Sequence, residues 1–182
     1  MADSITVELT NGELTYAYQV GAVRVANHIP RRFVPVDSIR DRVPWVQRFL
    51  YTHIQHAVGE CVLSKYLGLS WEPEQGRGGH FRGGYVHGYY VRMTSHHGRD
   101  LWAFSSDPDE AVLVLISGHI NQLRFRLHGW AVAKEAKCDY FAVAERDDVD
   151  RDDVMYHLPD YFLSSMGSLS SSGDSNVGNP PT

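Results

Sequence analysis

Two stretches of the chain hold residue types that could do chemistry, and the first is a stripe of His53, His56 and Glu60. Successive spacings of three and four residues place all three on one side of a helix. Imidazole nitrogens and carboxylate oxygens can bind a metal ion such as Zn²⁺. The sequence has no HExxH motif, so the pattern also suits a polar helix face, or an imidazole and a carboxylate paired across one turn.

Glu60 is the most informative of the three because its neighbours along the helix are apolar. These neighbours are Ala57, Val58, Cys61 and Val62. A carboxylate on an apolar helix face requires either a partner for its charge or a function. We therefore expect Glu60 to have either a partner for its charge or a functional role.

The second stretch is a tyrosine-rich hairpin over residues 80–94. A two-residue turn at 87–88 contains a glycine, which supplies the positive φ that such turns need. With that turn, Tyr85 lies opposite Tyr90, and Arg92 projects from the same face as Tyr90. The hairpin is thus predicted to gather these three side chains into one surface patch.

Charged loops flank the hairpin. A glycine-rich stretch at 68–84 carries Arg77 and Arg82, which could approach a phosphate backbone, although it has no P-loop and no dinucleotide-binding motif. A turn that contains Asp107 and Asp109 could hold a metal ion. The alternative for both loops is a flexible or solvated connection without a ligand.

Two helices are predicted in the first part of the chain. Thr10 and Glu13 have the spacing of a capping box, and an apolar helical repeat follows over 11–28. A loop rich in proline and arginine is predicted at 30–44, and a second helix at about 45–67.

The rest of the chain is predicted to form strands, one helix and a tail. The predicted pieces are strands at 101–104, 111–116 and 123–128, a helix at 129–137, a last ordered piece at 157–163 and a disordered Ser/Gly/Pro-rich tail at 164–182. Together the patterns predict an α+β protein with a single domain over 1–163. Its central mixed sheet, which includes a β-hairpin, is flanked by two N-terminal helices and one later helix.

Composition narrows the class of protein. The 182 residues are 43% hydrophobic with a net charge of −5, which argues against a uniformly basic surface but allows a local basic groove. Cys61 and Cys138 form no CxxC motif, as expected in a reducing compartment. With no signal peptide and no apolar span in the sequence, we expect a cytoplasmic protein that does not act at membranes, in the host cytoplasm if it is viral.

Four segments, in this order, resemble a group of uncharacterised phage and bacterial proteins related to the PD-(D/E)xK, or restriction-endonuclease-like, nuclease superfamily. The likeness extends over roughly residues 11–163 and depends on order and spacing rather than on one motif. The segments are the helix end around Glu60 and Lys65, the hairpin at 85–94, the turn at 107–110 and the helix at 129–137.

In that superfamily a helix Glu, a strand Asp and a Glu or Gln on the next strand bind Mg²⁺, and a Lys positions the attacking water. The resemblance implies a restriction-endonuclease-like fold in which Glu60 and Arg92 are the catalytic residues that remain. Tyr85 and Tyr90 stand at the positions of the other two ligands, and Arg92 stands at the Lys position. Mg²⁺ or Mn²⁺ would be the cofactor of an active enzyme.

Three of these four positions depart from the superfamily pattern. A tyrosine phenol, with a pKa near 10, is neutral at pH 7 and a poor ligand for a hard cation, and arginine cannot act as a base. With these departures, the resemblance predicts a nuclease-fold protein with impaired catalysis, a pseudoenzyme of phage DNA metabolism, that binds nucleic acid or a protein partner. Its predicted nucleic-acid-binding residues are Arg82, Tyr85, Tyr89, Tyr90, Arg92 and Arg99.

Two alternatives stay open. One is an active Mg²⁺-dependent deoxyribonuclease whose metal site has migrated but still includes Glu60. The further ligands would come from His56, His87, Asp107 and Asp109. The other is a structural or assembly protein that does not bind nucleic acid and keeps Tyr85 and Tyr90 in its core. A close Glu60–Arg92 pair would mean that a metal site has become an ion pair.

Overall fold

A computed structural model describes residues 4–28, 39–73, 83–95, 100–143 and 154–169 of the chain. The helices in these ranges are α1 (Asn11–His28), α2 (Ile39–Leu67), α3 (Ala133–Ala136) and α4 (Met166–Leu169). The strands are β1 (Ile5–Glu8), β2 (Gly84–Val86), β3 (Tyr89–Thr94), β4 (Asp100–Phe104), β5 (Val112–Ser117), β6 (Arg124–Val132), β7 (Ala142–Val143) and β8 (Met155–Pro159). Short 3₁₀ turns lie at Asp139–Phe141 and Asp160–Phe162.

The predicted α+β class is confirmed, and a mixed sheet lies at its centre. This main sheet has five strands in the order β1-β6-β5-β3-β2. The β3 and β5 strands pair in parallel, whereas the other neighbours pair antiparallel. A second, smaller sheet has the order β4-β8-β7, so the strand predicted at 101–104 lies outside the main sheet.

The helices α1 and α2 cover one face of the main sheet. At the start of α1 the predicted capping box is present, because the Thr10 N–H donates to Glu13 Oε2 at 2.6 Å and the Glu13 N–H donates to Thr10 Oγ1 at 3.2 Å. In α2, Gly59 brings the helix close to β3, since a Cβ at this position would lie 2.8 Å from Val91 Cγ1. The core between helices and sheet includes Val58, Val62, Val91, Ile116, Phe125 and Leu127.

The second sheet covers the other face of the main sheet and encloses a smaller core. This core includes Leu101, Ala103, Leu113, Leu115, Ala131 and Leu158. Successive residues of a strand point to opposite faces, so each inner strand of the main sheet contributes to both cores. The main sheet is thus the middle layer of three. No helix in the described ranges is long and apolar enough to cross a membrane.

Two predicted boundaries were wrong. The α2 helix begins at Ile39, inside the predicted loop, so Pro44 lies in the second turn of the helix and not before its start. The predicted helix at 129–137 is helical only at 133–136. Its first residues continue β6, where Gly129 pairs with Leu115, so strand pairing overrides the helix propensity of an alanine-rich segment.

The predicted tail also begins too early. Ser164 forms a bridge with Trp130, and Met166 and Leu169 are completely buried in the larger core. These two apolar side chains, the Ser164 bridge and the hydrogen bond from Trp130 Nε1 to the Ser165 carbonyl together hold this segment against the main sheet. The remaining residues of the predicted tail, 170–182, lie outside the described residues.

Candidate functional site

The tyrosine hairpin forms as predicted. His87 and Gly88 make its turn with φ values of 51° and 86°, the positive angles of a two-residue turn that matches the twist of the strands. Tyr85 pairs with Tyr90 across the strands, and their rings meet edge to face with centroids 5.1 Å apart. Tyr85 is 42% exposed, whereas Tyr90 is partly buried against the smaller core, so the pair lies at the edge of that core and not inside it, where one alternative expected it.

Arg92 belongs to the same face, as predicted, but its guanidinium is buried and engaged. Its carbon lies 5.9 Å from the centre of the Tyr90 ring. Nη2 donates to both carboxylate oxygens of Asp107, at 2.7 and 2.8 Å, and Nε donates to the Trp102 carbonyl at 3.1 Å. The Phe104 N–H also donates to Asp107, at 2.9 Å. Arg92 thus joins the main sheet to β4 and the turn that follows it.

Glu60 is also buried, and Arg24 of α1 is its partner. Nη1 and Nη2 of Arg24 donate to the two Glu60 oxygens at 2.8 Å each, which is a bidentate pair. The Tyr85 N–H donates to Glu60 Oε1 at 3.1 Å. The partner that a carboxylate in an apolar environment requires is therefore present, and it is an arginine of the neighbouring helix.

Arg24 was not identified from the sequence as the partner of Glu60, although the sequence contains a signal for it. The apolar repeat of α1 includes Ala17, Val20 and Gly21, and Arg24 continues this stripe at helical spacing. A charged residue in the apolar stripe of one helix, together with a carboxylate in the apolar stripe of the next, indicates a buried ion pair.

The two ion pairs lie on opposite faces of the main sheet, so Glu60 does not contact Arg92. Two consecutive glycines run between the pairs at the end of the edge strand. A Cβ on Gly84 would lie 2.8 Å from Glu60 Cγ and 2.9 Å from its Oε1, whereas a Cβ on Gly83 would overlap the Arg92 guanidinium. The sequence prediction treated these residues as one site, but the structure divides them between two layers.

The other metal candidates do not converge on Glu60. Asp107 lies on the far face with Arg92, and His87 is an exposed turn residue. Asp109 pairs with Lys137 at 2.8 Å, and that hydrogen bond lowers the pKa of its carboxyl. In the described part of the chain, no group of three or more His, Cys, Asp or Glu side chains could hold a metal ion.

His56 is the one candidate that lies beside Glu60. Its side chain is buried, and Nδ1 has no hydrogen-bond partner among the described residues. Burial lowers the pKa of this imidazole to about 3, with further contributions from His53, Arg92 and Arg24. His56 is thus neutral near pH 7. The positive charges of Arg24 and Arg92 act on this imidazole, and they would also oppose the binding of a metal ion there.

The predicted nucleic-acid surface is present only in part. Tyr89 and Tyr90 are half-buried. Burial raises the pKa of Tyr90, and the neighbouring Tyr85 raises it further, so the Tyr90 phenol is neutral at pH 7. Arg82 and Arg99 lie outside the described residues, as does Arg77. The exposed arginines of β6, Arg124 and Arg126, lie two strands away from β3, and Arg124 pairs with Glu8 at 3.1 Å.

Comparison of this chain with protein-family models, with curated proteins and with solved structures finds no match. The likeness to the nuclease superfamily therefore remains a prediction from the residue pattern.

Proposed function

We propose that this chain is a non-catalytic binding protein that acts by holding a macromolecular partner. The observation that carries the proposal is that both carboxylate oxygens of Glu60 already accept hydrogen bonds from the protein. A carboxylate that binds Mg²⁺ directs oxygen lone pairs at the ion. Both Glu60 oxygens instead accept hydrogen bonds from Arg24, and Oε1 accepts another from Tyr85.

Arg92 supports the same proposal from the other face of the sheet. A residue that contacts a phosphodiester has to reach the surface, but the Arg92 side chain is 6% exposed and is held by Asp107. Removing one partner of a buried ion pair leaves an uncompensated charge in the interior. Both pairs therefore fit a structural role in tying the layers together.

A protein is the partner class that the described surface favours. Binding to nucleic acid depends on exposed cations that neutralise phosphates. The net charge of the chain is −5, and Arg92 is buried. Exposed aromatic rings, by contrast, are typical of protein interfaces.

Nucleic-acid binding by the hairpin is the second candidate function. The exposed Tyr85, whose ring contacts the half-buried Tyr90 edge to face, favours it, because an exposed ring can stack on a base. Arg82 and Arg99 stand close to the hairpin in the sequence and could supply phosphate contacts.

A cleavage assay tests the absence of catalysis. The purified chain is incubated with single- and double-stranded DNA and with RNA, in Mg²⁺ and in Mn²⁺, and we expect no cleavage above a buffer blank. Metal-dependent cleavage that is lost in His56→Gln or Glu60→Gln, in protein whose circular dichroism shows a native fold, would overturn the proposal. The exposed Glu135→Gln substitution is the matched control.

Fluorescence anisotropy with a labelled single-stranded oligonucleotide separates the two partner classes. We expect no salt-dependent binding. If binding occurs and Tyr85→Ala abolishes it, while Tyr16→Ala on α1 does not, the hairpin is a nucleic-acid site and the second candidate function replaces the first. Tyr16 is a suitable control because its exposure, 45%, is close to that of Tyr85.

A further inference from the structure

The tripeptide Asp-Tyr-Phe occurs twice in the chain, at 139–141 and 160–162, and both copies form the same 3₁₀ turn. Each turn follows an extended residue, Cys138 with ψ 137° or Pro159 with ψ 149°, and each is followed by another extended residue. In both copies the residue after the phenylalanine donates its N–H to the aspartate carbonyl. The two copies therefore share one backbone geometry.

The four aromatic rings of these turns form one continuous group, which we call the aromatic cluster. Its members are Tyr140, Phe141, Tyr161 and Phe162. Phe141 and Phe162 join the two turns, with ring centroids 5.2 Å apart, and each phenylalanine also contacts the tyrosine of its own turn. Tyr140 is 83% exposed, Tyr161 65% and Phe162 53%. Exposed apolar groups of this kind mark interaction surfaces.

The charged residues within the two turns are aspartates. Asp139 is exposed next to Tyr140, and Asp160 precedes Tyr161. The nearest lysine in the chain, Lys137, is engaged by Asp109 and by the Asp107 carbonyl.

We propose that the aromatic cluster is a docking site for a segment of a partner protein rich in arginine or lysine. The exposed Asp139 precedes Tyr140 in the sequence, and a guanidinium or ammonium group is attracted both by a carboxylate and by an aromatic ring. Self-association would bring two Asp139 carboxylates together, and a nucleic acid would bring phosphates to them, so both occupants are disfavoured. This inference rests on the proposed function and names its partner class.

Peptide binding to the full chain tests the proposal. The probe is a fluorescently labelled peptide of alternating arginine and glycine at low salt, and the comparison is a peptide of the same length with glutamate for arginine. We expect binding of the arginine peptide alone. The Tyr140→Ser/Tyr161→Ser double substitution should weaken it by about tenfold, because two cation–π contacts are lost, and Asp139→Asn should weaken it by about threefold.

The control is Tyr16→Ser, which removes an exposed tyrosine of α1 and should leave binding unchanged. No binding at low salt, equal binding by the double variant, or equal binding of the glutamate peptide would each overturn the proposal. Two other results would also overturn it: dimers in analytical ultracentrifugation that the double substitution abolishes, or an oligonucleotide that competes for the cluster. Metal-dependent cleavage would instead refute the proposed function, so the two failures are distinguishable.

Discussion

Arg24 and Glu60 form a bidentate ion pair across α1 and α2, with two hydrogen bonds of 2.8 Å and both side chains at most 4% exposed. A buried pair of this kind stabilises a fold less than its geometry suggests, because both charges lose their hydration. Its main consequence is that neither partner can be removed alone. The pair therefore fixes how the first two helices pack.

The first prediction concerns removal of one partner of this pair. Arg24→Ala should lower the free energy of unfolding by about 3–5 kcal/mol, because Glu60 would be left buried and uncompensated. The measurement is urea denaturation followed by circular dichroism. Arg124→Ala is the control, since its pair with Glu8 is exposed and its loss should cost at most about 1 kcal/mol. Similar effects of the two substitutions would show that Glu60 finds another partner.

The second prediction concerns the consecutive glycines of the edge strand. Gly84→Ala should lower the free energy of unfolding by about 1–3 kcal/mol, because the new methyl group overlaps Glu60 and displaces it from Arg24. Thermal unfolding gives the comparison with Gly12→Ala in α1, where a Cβ meets no heavy atom closer than 3.9 Å. That control should be neutral or slightly stabilising. An unchanged melting temperature for Gly84→Ala would contradict the close approach.

The third prediction concerns pH. The pKa of His56 is about 3 in the folded chain, whereas an unfolded imidazole titrates near 6.5. Below pH 6.5 the unfolded chain therefore binds a proton that the folded chain does not. The free energy of unfolding should fall as the pH falls towards 3, by up to about 1.4 kcal/mol per pH unit from this residue.

Urea denaturation of His56→Gln between pH 6.5 and 5 checks this sign. The variant should show a shallower loss of stability than the unsubstituted chain, whatever its stability near pH 7. His119→Gln, at an exposed position, should retain the original slope. Equal slopes for all three proteins would mean that His56 is solvated in the folded state.

The fourth prediction concerns restoration of the nuclease residues. The triple substitution Tyr85→Asp, Tyr90→Glu and Arg92→Lys recreates the superfamily residue types, but we expect no Mn²⁺-dependent DNA cleavage. The substituted side chains would project from one face of the sheet while Glu60 lies on the other, bound to Arg24. The assay is gel electrophoresis of plasmid DNA with matched circular dichroism. Gain of cleavage in a folded variant would show that the two faces can share a metal ion.

Local patterns in the sequence predicted the hairpin and α1 well. The register of Tyr85 opposite Tyr90 follows from the turn, and the start of α1 follows from the capping box. Both depend on residues within a few positions of each other, where backbone geometry and side-chain hydrogen bonds act directly.

The partners of the charged residues could not be predicted in the same way. Glu60 binds a residue 36 positions away, and Arg92 binds one 15 positions away on the far side of the sheet. The second sheet was missed for a similar reason, since β4 pairs with β8 from near the end of the described chain. These relationships depend on tertiary packing, and local propensity carries no information about it.

The segment from Ser164 to the end of α4 has a consequence for the order in which the core forms during synthesis. Met166 and Leu169 complete the core under α2, and the Met166 carbonyl accepts a hydrogen bond from Tyr66 at 3.0 Å. A chain still being synthesised lacks these side chains until residue 169 has been added. Until then the core between the first two helices and the main sheet lacks two of its buried side chains. The larger core is therefore completed only after the main-sheet strands and the helices that cover them have been translated.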